Sequence, residues 1–125
     1  MEDIDILLDR FIEFYGSFLL AESTNIKKIA VKEDGDKTYI HIPKPKRSKS
    51  DMRVYVEQEA DKFRLSVFTE KTIPKELPEY YKVEVTEKTK TTKKTRVSRL
   101  CSHKAFPGEL DRIISTWTWI EYANR

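Results

Sequence analysis

Apolar residues recur every three to four positions near the start of the chain. Ile4, Leu7, Leu8, Phe11, Ile12, Phe14, Tyr15, Phe18 and Leu19 share one arc of a helical wheel, and Asp5, Asp9, Arg10, Glu13 and Ser17 share the other. The spacing predicts an amphipathic helix over 4–21, with Asp3 as N-cap and acids in the first turn to suit the helix dipole. The apolar arc is about 160° wide, against the ~100° that one sheet contact needs. The helix is therefore expected to touch two surfaces: a sheet, and either a second helix or another chain.

The pattern then changes period. Two β-leaning runs, 26–33 and 37–42, flank Asp34-Gly35, a hairpin turn signal, and Pro43 and Pro45 end the second. Residues 52–58 alternate, with Met52, Val54 and Val56 on one face and Arg53, Tyr55 and Glu57 on the other. Residues 62–69 alternate again, with Phe63, Leu65 and Val67 inward, and the short Ala60-Asp61 connection makes a second hairpin. A proline-bounded loop follows. Residues 80–87 then place Tyr81, Val83 and Val85 inward, and a last strand is expected over 96–100. Leu110, Ile113, Ile114, Trp117 and Ile120 form the stripe of a closing helix over about 108–123, with Pro107 near its start, where proline is tolerated.

The expected fold class is α+β: an antiparallel β-meander of five or six strands flanked by an N-terminal and a C-terminal amphipathic helix. A length of 125 residues suits one domain, 1–125, with enough buried surface to need neither metal nor disulfide. The single cysteine, Cys101, excludes an internal disulfide and points to a reducing compartment. The acidic start is the reverse of a signal peptide's, and no apolar run approaches the ~20 residues of a spanning helix. The expected location is cytoplasmic, with no membrane partner.

Charge changes the picture more than composition does. Net charge is only +3, yet residues 1–22 hold six acids against Arg10 alone. Residues 88–104 hold seven bases and no acid, and residues 44–50 hold four more bases. The run "KTKTTKKTRVSR", 88–99, lacks the Gly or Asn of a tight primed turn, so a longer loop is expected at its tip.

Catalytic chemistry finds little support. Cys101, His103 and His41 are too few and wrongly spaced for a zinc site. Three glycines leave no phosphate-cradling loop, and no nucleophile motif is present. Glu57, Glu59 and Lys62 could be drawn as the carboxylate–lysine set of a metal-dependent nuclease, but a solvated hairpin end accounts for them far better. No enzyme and no cofactor is expected.

Nucleic-acid binding fits better. Lys44, Lys46, Arg47 and Lys49, with Lys88, Lys90, Lys93, Lys94, Arg96 and Arg99, supply cations for phosphates. Tyr55 and Phe68, with Tyr80, are expected on the outward sheet face among Arg53, Arg64 and Lys82, where rings can stack bases. The strand 62–69 lacks the glycine of the RNP1 pattern, so no RRM is recognisable. The competing explanation is edge protection by lysines. The alternative is a protein-interaction domain, a viral or regulatory inhibitor or a complex subunit, acting through the terminal helices on a homodimer or protein partner: Trp119 and Tyr122 lie off the apolar stripe of the last helix, as Ile6 and Leu20 break the polar arc of the first.

Overall fold

A computed structural model describes residues 2–19, 28–45 and 48–122; at 2, 3, 15–19 and 78 it describes the backbone and not the side chain. The expected α+β architecture is present. Helix α1 spans Glu2–Leu19, six strands follow (β1 Ala30–Asp34, β2 Lys37–Ile42, β3 Met52–Glu59, β4 Lys62–Thr69, β5 Lys82–Lys88, β6 Lys93–Cys101), and helix α2 spans Phe106–Tyr122. Residues 20, 21, 26 and 27 of the expected elements, and Asp3 as a capping side chain, lie outside this description.

The sheet is antiparallel throughout, in the order β1-β2-β3-β4-β6-β5. Four strands follow in sequence order, then the chain skips a place. The skip has a local cause. The twelve-residue connection 70–81 carries Pro74 and Pro78, which cannot donate to a ladder. It closes on a 3-10 turn at Leu77–Glu79. Its last two residues then bind α2: the Tyr81 hydroxyl lies 3.1 Å from Thr116 Oγ1, and the Tyr80 hydroxyl donates to Glu109 Oε1 at 2.8 Å. Held against the helix, the chain enters the sheet beyond β6 as an edge strand.

Period-two alternation sorts the faces. Ile40, Ile42, Met52, Val54, Val56, Phe63, Leu65, Val67, Val97 and Cys101 lie beneath the helices in one core with Leu110, Ile113, Ile114, Trp117 and Ile120 of α2. From α1 the core takes Ile4, Leu7, Leu8 and Phe11, and α1 packs against α2. Each fully buried side chain of this kind contributes about 1.5–3 kcal/mol of apolar burial, offset by the entropy of ordering the helix. Ile6 and Phe14 remain 56% and 63% exposed. The outer strand β5 is less buried than its pattern suggests, with Val85 half exposed. Among the described residues, no helix is long and apolar enough to cross a membrane.

Both two-residue hairpin loops begin with a residue of positive φ: Gly35 at 65° between Asp34 and Lys37, and Ala60 at 56° between Glu59 and Lys62. Glycine adopts this region freely and alanine does not.

Candidate nucleic-acid interface

The register brings distant basic segments together. Ile42 pairs with Met52, Thr69 with Thr95, and Lys88 with Lys93. The connections 43–51, 70–81 and 89–92 therefore all leave the same end of the sheet, and so does the C-terminus of α2. Lys44 and Lys49 stand on the β2–β3 side of this end. Lys88, Lys90 and Lys93 stand on the β5–β6 side, and four inter-strand spacings, about 19 Å, separate β2 from β5. Lys46 and Arg47 lie outside the described residues.

On the β5–β6 side the lysines wall a groove of about 670 Å³. Lys71 and Lys75 of the connection line it with Lys88, Lys90 and Lys93, together with Glu70, Ile73, Val83 and Val85. Lys71 and Lys75 were not singled out in the sequence, because the residues around them read only as a proline-bounded loop. The tip of the hairpin is compact: Thr89 N–H donates to Thr92 O at 2.8 Å, and the two threonine hydroxyls are 2.8 Å apart. The last strand begins at Lys93 rather than Arg96, so most of the basic run is strand and only four residues are loop.

The outward face adjoins this end. Lys32, Tyr39, Tyr55, Ser66, Ser98 and Lys82 form one cross-strand row. The next row, nearer the basic end, holds His41, Arg53, Phe68, Arg96 and Glu84. The rings make a chain: Tyr39 to Tyr55 at 5.5 Å between centroids, and Tyr55 to Phe68 at 5.5 Å, edge to face. Cations lie over two of them, Arg53 at 4.3 Å from the Tyr39 centroid and Lys94 Nζ at 5.1 Å from that of Phe68. Beneath the neighbouring guanidinium groups are two buried serines. Arg96 Nε donates to Ser66 Oγ at 3.0 Å, and an Arg64 amine donates to Ser98 Oγ at 3.2 Å. Small residues at 66 and 98 leave room for the arginines to lie over the sheet. Tyr39, Ser66 and Ser98 were likewise not marked in the sequence; their place in the alternation is the signal for them.

Arg99, counted with the basic run, lies on the opposite face. It stacks 3.6 Å from the Tyr80 ring centroid, donates to Tyr80 O at 2.8 Å and pairs with Glu109 at 3.1 Å. Tyr80 is on that face too, correcting its expected outward position; burial, then its bond to Glu109, pushes its hydroxyl up. The alternation Thr95, Val97, Arg99, Cys101 carries this signal. Tyr122 contacts the chain's own basic loop rather than only solvent, and its bond with Ser48 draws the hydroxyl below the usual tyrosine range. Trp119 is 48% exposed.

Ion pairing divides the cations. Arg53 pairs with Asp34, Arg64 with Glu59, Arg96 with Glu57, and Lys82 with Glu84. Lys49, Lys71, Lys75, Lys88, Lys90, Lys93 and Lys94 form no ion pair among the described residues. Lys82 and Lys88 sit on an edge strand with an irregularity between Val85 and Glu87, features that also discourage edge-to-edge pairing. Glu57 and Glu59 each pair with an arginine. Cys101 is buried, and the ring of His103 packs 4.6 Å from that of Phe63. No group of three or more potential metal ligands occurs among the described residues.

No family model matches the chain, and neither the curated proteins nor the solved structures searched include a match.

Proposed function

We propose that this chain is a small non-enzymatic nucleic-acid-binding module whose phosphate anchor is the basic end of the sheet. One observation carries the reading: Lys49, Lys71, Lys88, Lys90 and Lys93, far apart in sequence, gather at one end without ion-pair partners among the described residues, while the arginines of the adjoining face are paired. An ammonium that is already neutralised releases few counterions on meeting a phosphate; an unpaired one contributes fully. A mobility-shift titration against single-stranded DNA, duplex DNA and RNA across a salt series tests it. Changing Lys88, Lys90 and Lys93 together to Gln lowers the slope of log K against log salt by roughly 2–3 units. An unchanged slope removes the anchor.

The exposed Trp119, with Ile6 and Phe14 on α1, supports a second reading, a protein-interaction surface on the terminal helices. Capture from nuclease-treated lysate separates the two. A protein partner lost on Trp119→Ala, with no nucleic acid retained, favours this alternative.

A further inference from the structure

Resting on the nucleic-acid reading above, we infer that the strand bound is single, and that its bases stack on the Tyr55–Phe68 platform by displacing the protein's own cations. The outward face points to this ligand chemistry through its place beside the anchor and the way its ring faces are filled.

The aromatic cluster lies beside the phosphate anchor, its Tyr55 and Phe68 rings set edge to face so that they offer differently oriented faces. The Phe68 row lies next to the Lys94–Glu87 pair at the basic end, and Lys94 links the two, its ammonium lying over the Phe68 ring while its backbone continues the basic run. From β2 to β6 the rings and guanidinium groups span three inter-strand spacings, about 14 Å. The Tyr55 and Phe68 rings come from adjacent strands and are half-buried, and Tyr39 beside them is buried, so a convex duplex, whose bases already stack on one another, gains little from them. Unstacked bases have free faces and are the usual partners of aromatic rings and arginine planes.

The displacement follows from how the ring faces are filled. Lys94 rests over Phe68 and Arg53 over Tyr39, each a cation held by the ring's negative face. A base entering at Phe68 takes the place of the Lys94 ammonium. The released ammonium is then beside the phosphate of the same nucleotide, so stacking and neutralisation meet at one position but fall to two side chains, the ring of Phe68 and the ammonium of Lys94. Arg96 and Arg64 are held by Ser66, Ser98, Glu57 and Glu59 and stay flat as the platform's edge.

The two parts separate in mutants. Fluorescence anisotropy is measured with labelled 12-nucleotide DNA, the matching RNA and the 12-base-pair duplex, each over a salt series. The parent is expected to bind single strands at least tenfold more tightly than duplex. Phe68→Leu, checked for unchanged thermal unfolding, lowers single-strand affinity about tenfold, leaves the salt slope alone and does not affect duplex. Lys94→Met does the reverse, reducing the salt slope by about one unit while keeping the single-strand preference. Equal binding of duplex, or a silent Phe68→Leu, overturns the single-strand platform and leaves the phosphate anchor standing. No binding of any probe at low salt overturns the anchor, and the platform with it. Tyr55→Leu provides a second ring variant should Phe68→Leu unfold the chain.

Discussion

Ser48 Oγ lies 3.0 Å from the hydroxyl of Tyr122, and the backbone N–H of Lys49 donates to that hydroxyl at 3.2 Å. Residues 74 positions apart thus tie the loop that carries Lys44 and Lys49 to the last turn of α2. The same loop is held at its other end by Asp51, which accepts from Lys44 N–H at 3.1 Å and lies 3.1 Å from His41 Nε2. The Tyr122 ring packs edge to face on Trp117, so the latch rests on the core.

Tyr122→Phe keeps that ring and removes the hydroxyl. The expected loss is about 1 kcal/mol, the usual net value of a hydrogen bond, read from urea unfolding. Amide hydrogen exchange at Lys49 should quicken markedly more than at strand positions such as Val54. Unchanged exchange at Lys49 would show that the loop is held by other contacts.

Arg99 serves as an internal control for the lysines. Replacing it with Met leaves the carboxylate of Glu109 without this cation and Tyr80 O without its donor. Stability should fall by about 2 kcal/mol, in the range for hydrogen bonds to charged groups. The salt dependence of nucleic-acid binding should stay the same. A change in salt slope with no loss of stability would mean that Arg99 faces the ligand.

The two hairpin loops predict opposite signs. Ala60→Gly relieves a left-handed alanine and should raise stability by about 0.5–1 kcal/mol. Gly35→Ala meets no atom within 4 Å of the new Cβ, so its effect is backbone strain alone, a loss of about 1 kcal/mol. Chemical denaturation of both variants against the parent checks the pair. Equal signs would exclude the backbone explanation.

Cys101 gives a pH prediction. Burial first, and the nearby Glu109 carboxylate second, push its thiol from near 9 up to about 11. The folded chain therefore holds the proton more tightly than the unfolded chain. The stabilisation is whole below about pH 9 and is lost as pH rises through 11, a change of roughly 2–3 kcal/mol at about 1.4 kcal/mol per unit. Tyrosines titrate nearby, so the measurement is the difference between parent and Cys101→Ala across pH 8–11. That difference should shrink as pH rises. A constant difference would show that the thiol does not titrate between the two states as described.

Much of the fold was legible in the chain. Ile4, Leu7, Leu8 and Phe11 announce α1 because a helix repeats every 3.6 residues. Met52-Val54-Val56 and Phe63-Leu65-Val67 announce β3 and β4 because a strand repeats every two. Asp34-Gly35 announces a turn. These signals are local: each reports which side of one element is dry, and neighbours along the chain suffice to set it. The alternation even held the inward place of Arg99, although its charge suggested the opposite.

Tertiary structure decided what depends on partners distant along the chain. That β6 rather than β5 joins β4 follows from Tyr80 and Tyr81 finding Glu109 and Thr116 on a helix some thirty residues later. That Lys44 and Lys49 share an end of the sheet with Lys71, Lys88 and Lys93 follows from antiparallel register, which no single segment contains. Whether a cation is free or paired is likewise set across strands: Arg96 meets Glu57 over β4, and Lys93 meets no carboxylate among the described residues. Periodicity is a one-dimensional record of burial. Strand order and charge pairing are settled by the free energy of closing the whole chain, and only the folded molecule records it.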